Sequence, residues 1–255
     1  MPRMRRYAAE ALGTFAVIFT GCGAAAVGGV KLGTLGVALA FGFALGAVTI
    51  AMAPISGAHL NPAVTLAMAL VGRLPRRDIL PYMAAQIAGA VAGTALVVTM
   101  AEGRPGGATH VADTIANGYG SRSPGFYALG AAAIAEVVLT GIFVLVVLAG
   151  ATRIGAARGP RLEVSPASLA ITAGAAYTLI HLVGMPVTRL GANPARALGP
   201  ALLAGGQALT QSWLFVVAPL LGAALAALAH RALHSAPKEA AAASRETPES
   251  APRAL

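Results

Sequence analysis

Six apolar stretches, each about as long as a bilayer crossing, constrain this chain more than any other feature. They run roughly over 7–28, 34–54, 79–100, 127–149, 166–186 and 211–232. A transmembrane helix needs about 20 predominantly apolar residues. Backbone polar groups in lipid must be satisfied within the segment, so helices are the expected form. Composition agrees. The chain is 57% hydrophobic and only 11% charged, with mean hydropathy +0.74, whereas soluble domains are about a quarter charged. The reading is an all-α membrane protein with six transmembrane helices.

Two features of the chain's start invite other readings. Arg3, Arg5 and Arg6 precede the first apolar run, and "FTGC", ending at Cys22, is similar to a lipoprotein cleavage site. A removable signal is disfavoured because Glu10 interrupts the run and the Ala-Glu context returns at Ala135-Glu136. Cys22 is the only cysteine, which excludes an internal disulfide and a cysteine metal cluster. It lies among Gly21, Gly23 and Ala24, a setting for close helix packing.

The net charge of +9 could point to nucleic acid. Its distribution points to topology instead. With a cytoplasmic N-terminus, thirteen of the eighteen Lys and Arg fall inside: Arg3, Arg5, Arg6, Arg73, Arg76, Arg77, Arg153, Arg158, Arg161, Arg231, Lys238, Arg245 and Arg253. Five fall outside: Lys31, Arg104, Arg122, Arg189 and Arg196. This is the positive-inside bias, with anionic lipid as the partner of the basic residues.

The two halves resemble each other. "AAEALGTFAVIF" (8–19) aligns with "IAEVVLTGIFVLVV" (134–147), matching Glu10 to Glu136 and Thr14 to Thr140. Three spans per half place the second half upside down, which makes an inverted repeat of about 7–100 and 127–232. Each half also carries Asn-Pro-Ala, at Asn61-Pro62-Ala63 and Asn193-Pro194-Ala195. Asn is a good helix N-cap and Pro suits the first helical position. About ten apolar residues follow each, half a span. Two half-helices entering from opposite sides and meeting end to end would form a broken seventh span. The loops before them, "PISGAH" and "VTRLGA", must be buried or line a cavity. Residues 102–126 read as a long polar loop. Residues 233–255 are rich in Ala, Pro and charge and read as a disordered cytoplasmic tail.

These motifs together resemble the major intrinsic protein family, the aquaporins and aquaglyceroporins, and are especially similar to its bacterial aquaporin Z-type water channels. The resemblance spans residues 5–232. It rests on "AEALGTF", "SGAHLNPAVT", "NGYG..SPG" (117–125), "HLVGMPVT" (181–188), "NPAR" and the paired Asn-Pro-Ala. It implies a right-handed bundle of six helices plus two re-entrant half-helices, one pore per protomer, a homotetramer, and no cofactor.

The residues take expected roles on that basis. Asn61 and Asn193 cap their half-helices through the side-chain oxygen, leaving the amide NH2 to face the lumen. Both helix N-termini carry partial positive charge toward the centre, which disfavours protons and cations. Arg196 replaces its repeat partner Val64 and is costly at membrane depth unless it lines a cavity. The family places this Arg at a narrow outer filter. Spacing carries over Phe41, 20 residues before Asn61, with His181 and Leu190, 15 and 6 before Arg196. Phe, His and Arg resemble the water-selective filter. The glycerol type has Trp and Gly at the first two positions and a second aromatic at the third. Leu190 departs from the usual small residue. Gly57, Ala58 and His59, mirrored by Leu190, Gly191 and Ala192, offer carbonyls as stepping points for water. Glu10 and Glu136 are intramembrane carboxylates, expected to support the re-entrant loops.

Ala197, directly after Arg196, stands where glycerol facilitators typically carry Asp. Val216 stands where water channels often carry Trp, so the two signals oppose. Three transport readings follow: a passive water channel, a facilitator of glycerol or other small neutral solutes, and an ion-coupled transporter with broken helices. Coupling would have only Glu10 and Glu136 to work with. An enzyme is least supported, since no cluster has metal-ligand spacing and no nucleophile–base pair is evident.

Overall fold

Each expected span is a helix in the computed structural model, which describes residues 2–103, 110–151 and 165–234. The helices are α1 (Arg3–Gly23), α2 (Gly29–Ser56), α3 (Pro62–Leu70), α4 (Ile79–Glu102), α5 (Val111–Ile115), α6 (Leu129–Gly150), α7 (Pro166–Thr188), α8 (Pro194–Ala204) and α9 (Gly206–His234). No strand occurs among the described residues.

Length and apolarity mark five uninterrupted stretches, the first of them 54 residues from Arg3 to Ser56. A helix that long would reach about 80 Å, far beyond a hydrocarbon core of about 30 Å. The chain instead turns back after a π-helical turn, Ala24–Gly28. Gly29 (φ 36°) and Gly33 (φ 60°) take backbone conformations open to glycine, and α1 packs along α2. The long stretch is therefore two spans, and the described residues hold six in all.

The packing repeats between the halves. Helix α1 lies on α4 as α6 lies on α9, and α2 meets α7 between the halves. At that last contact a Cβ on Gly174 would sit 2.7 Å from the Gly42 carbonyl, so the backbones touch only because both residues are glycine. Each half-helix also packs on the last span of the other half, α3 on α9 and α8 on α4. This exchange locks the halves together. Polarity runs opposite to that of a soluble protein: Phe43 and Ile171 are over 70% exposed, while Glu10 and Glu136 are 0% exposed. Such an apolar surface suits lipid. The chain is an integral, multi-pass membrane protein.

The ends of the half-helices follow from their sequence. Asn61 is extended (φ −161°) and its side chain accepts from Ala63 N, with Pro62 at the first helical position. Asn193 does the same for Ala195 N and Arg196 N. Among its described residues the 102–126 loop holds α5 and a 3-10 turn at Gly120–Arg122. Cys22 is free and buried. Of the 233–255 tail, the first two residues finish α9 and the remainder lies outside the described residues. Arg104, Arg153, Arg158, Arg161, Lys238, Arg245 and Arg253 lie outside them too.

Candidate pore

Two buried carboxylates hold the re-entrant loops. Glu10 Oε1 accepts from Ser56 Oγ at 2.6 Å and His59 N at 3.0 Å. Its Oε2 accepts from Leu60 N and Gln86 Nε2, both at 2.7 Å. Glu136 Oε1 accepts from Thr188 Oγ1 at 2.6 Å and Gly191 N at 2.7 Å, and Oε2 from Ala192 N at 2.8 Å. The donors form matched sets: Ser56 with Thr188, His59 with Gly191, Leu60 with Ala192. Backbone N–H groups at membrane depth need such partners. With the amides held, the loops sustain unusual backbone: Ala58, Leu60, Leu190 and Ala192 all have positive φ, a conformation that is strained for residues with a side chain.

The register of the loops corrects one expectation. Gly57, Ala58 and His59 match Arg189, Leu190 and Gly191, one residue earlier than the sequence mirror of Leu190, Gly191 and Ala192. Ala192 matches Leu60, and both carbonyls are engaged. Asn61 Nδ2 donates to Ala192 O at 2.9 Å, and Asn193 Nδ2 donates to Leu60 O at 2.9 Å. Each amide therefore has one N–H committed across the junction and one remaining. This differs from the sequence expectation, in which the whole NH2 faces the lumen. A carbonyl buried at the centre of the membrane needs a donor, and the opposite asparagine is the nearest one.

Phe41, His181 and Arg196 come together. The Phe41 and His181 rings stack at 4.5 Å, and the Arg196 guanidinium lies 5.6 Å from the Phe41 centroid. Arg196 Nη1 donates to Ile115 O at 3.1 Å and Asn117 Oδ1 at 3.0 Å, and Nη2 to Arg189 O at 3.2 Å. His181 Nδ1 is 2.8 Å from Tyr177 O, while His181 Nε2 and Arg196 Nε have no protein partner. Leu190 is set differently: its side chain lies on Gly184 of α7, where an added Cβ would be 2.5 Å from Leu190 Cδ1. All four residues are at most 1% exposed.

A cavity lies on each side of this buried centre. One, of about 390 Å³, reaches Arg6, Arg73, Leu45, Thr49, Ala173 and the loop Gly57–His59. The other, of about 540 Å³, reaches Val37, Met185, Arg189 and Arg196. Helix α2 passes from one to the other along Val37, Phe41, Leu45 and Thr49, each one turn from the next. Helix α7 does so along Ala173, Tyr177, His181 and Met185. Among the described residues no group of His, Cys, Asp and Glu is placed to hold a metal ion.

Sequence reasoning passed over several of these residues. Asn117 stood in the quoted "NGYG" without a role, and its hold on Arg196 comes from far along the chain. Gln86 gave no signal, being one polar residue in an apolar span. Tyr177 was detectable, four residues before His181 and so on the same helix face.

Six spans, a seventh built of two facing half-helices, and a cavity on either side of a buried polar centre define a membrane channel. The description "Major intrinsic protein" matches residues 1–230, and the chain belongs to this family, whose members are transport channels rather than enzymes. The chain is 45% identical over 239 residues to Aquaporin Z of Bradyrhizobium diazoefficiens, covering 92% of this chain and 95% of that one. It is 44% identical over 238 residues to Aquaporin Z of Rhodopseudomonas palustris, covering 91% and 94%. The X-ray structure of the aquaglyceroporin from Plasmodium falciparum has the same fold, with TM-score 0.73 at 23% identity over 89% of this chain and 95% of that one.

Proposed function

We propose that this protein is a passive water channel that excludes protons and ions. The observation that carries the reading is the meeting of two Asn-capped helix N-termini, tied by reciprocal 2.9 Å bonds. Each end presents roughly half a positive charge to the centre. A water held there by the remaining amide hydrogens of Asn61 and Asn193 donates outward in both directions and cannot accept a relayed proton. The Aquaporin Z names of the relatives support water as the permeant.

In this reading Phe41, His181, Leu190 and Arg196 form the narrow filter. The carbonyls of Gly57, Ala58, His59 and Gly191 are the stepping points, while that of Ala192 serves the junction. Glu10 and Glu136 are scaffold groups. The channel unit is 1–232, with repeats at about 7–100 and 127–232 and a cytoplasmic tail at 233–255. It works as a homotetramer in the bacterial inner membrane, both termini cytoplasmic, a topology supported by the basic-residue bias. Glycerol or another small neutral solute is the second reading. It is favoured by Val216, which stands where water channels often carry Trp.

Stopped-flow light scattering on proteoliposomes, first with a sucrose gradient and then with glycerol, tests the reading. Fast shrinkage in sucrose without glycerol re-entry supports a water channel. Rapid re-swelling in glycerol supports the alternative.

A further inference from the structure

Tyr177 lies on the pore-lining stripe of α7, one turn from His181 toward the N-terminal-side cavity. Its ring is enclosed by others: His181 at 4.3 Å, Phe143 at 5.0 Å and Phe41 at 6.1 Å between centroids. The residue is 1% exposed, yet among the described residues its hydroxyl has no hydrogen-bond partner. The side chain of Asn193 is a polar neighbour of the hydroxyl. A buried hydroxyl without a partner is uncommon and costly in protein interiors. Here His181 Nε2, the next polar atom along the same stripe, is unpartnered as well.

We propose that Tyr177 is a further specificity-determining residue of the pore, whose hydroxyl binds a permeating water between His181 and the amide of Asn193. The inference rests on the channel reading above and adds a station to it. Across from the loop carbonyls, the helix side of this stretch carries the rings of Phe41 and Phe143. A water passing there loses hydrogen bonds that Phe41 and Phe143 cannot replace. The phenol can both donate to and accept from that water, so it bridges the gap. Its ring also keeps the passage narrow next to the filter.

Two variants and one structure test this. Tyr177→Phe keeps the ring and removes the hydroxyl. Water permeability per channel should fall about fivefold, the rate equivalent of one ordinary hydrogen bond, with glycerol still excluded. Tyr177→Leu removes the ring as well. Water should then recover part of that loss through the wider passage, and urea should begin to leak. A high-resolution crystal structure of the native protein should show an ordered water within about 3 Å of Tyr177 Oη. Native water flux in Tyr177→Phe, or a dry hydroxyl bonded to protein in the crystal, overturns the proposal. Absence of water flux in the native protein would instead overturn the channel reading, while the crystallographic water still reports on Tyr177.

Discussion

Asn61 donates to the carbonyl of Ala192 at 2.9 Å, across the point where the two half-helices meet. The same side chain accepts from Ala63 N of its own helix at 2.8 Å. Asn193 repeats both contacts, to Leu60 O and from Ala195 N. Each asparagine is thus fixed at the oxygen by its own half and at the nitrogen by the other. The one remaining N–H per amide has its direction set from both sides, which is the preorganisation a water-orienting group needs.

The first prediction follows from that double tether. Asn193→Asp keeps the cap, because a carboxylate serves a helix N-terminus well. It removes the donor to Leu60 and adds negative charge at the centre. Folding yield should change little while cation leak rises. Ion flux into dye-loaded proteoliposomes checks this. A cation-tight variant with native water flux would mean that Asn193 is a cap alone.

The second concerns the carboxylates. Glu10 receives four donors. In Glu10→Gln the amide end cannot accept, so at least one buried donor is stranded, at about 1–3 kcal/mol. The variant should melt at lower temperature in detergent and conduct less water. A proton-coupling role would appear differently, as normal stability with a lost pH dependence of transport.

The third concerns the filter. His181→Gly with Phe41→Trp removes the imidazole and enlarges the apolar wall. Glycerol permeability should rise relative to water in proteoliposomes carrying equal amounts of channel. No gain would mean that these residues are not the sieve.

The fourth concerns Asn117, which holds Arg196 Nη1 at 3.0 Å. Asn117→Ala leaves the bonds to Ile115 O and Arg189 O, so the guanidinium stays near but less fixed. A hydrogen bond to a charged group contributes about 1.5–3 kcal/mol. The ratio of water to glycerol permeability should fall severalfold, together with a lower melting temperature. An unchanged ratio would place the control of Arg196 in its carbonyl partners.

The sequence carried the helices because their signals are local. Twenty apolar residues, an asparagine cap and a proline at the first helical position are each readable within a few residues. The matched halves paired Glu10 with Glu136 and Asn61 with Asn193, and the family resemblance, carried over by spacing, pointed to Phe41, His181 and Arg196, which the fold brings together. What the sequence could not carry was long-range or depended on backbone direction. The bond from Asn61 to Ala192 joins residues 131 positions apart. The carbonyl register differs by one from the sequence mirror because the positive φ values at Gly57, Ala58 and Leu60, repeated at Arg189, Leu190 and Ala192, decide which carbonyl faces the junction. Asn117 and Gln86 act through contacts 79 and 76 positions away. The packing of Leu190 on Gly184 depends on how the loop lies against α7, which spacing in the sequence does not show.

The central claim is that two facing, tethered helix ends pass water and refuse protons. It is tested most directly by measuring both fluxes on one preparation: osmotic shrinkage by stopped flow, and proton entry by a trapped pH dye, over a series of protein-to-lipid ratios. Water permeability should rise in proportion to protein while proton flux stays at the level of empty liposomes. Proton flux that climbs with protein, or water flux that does not, would contradict it.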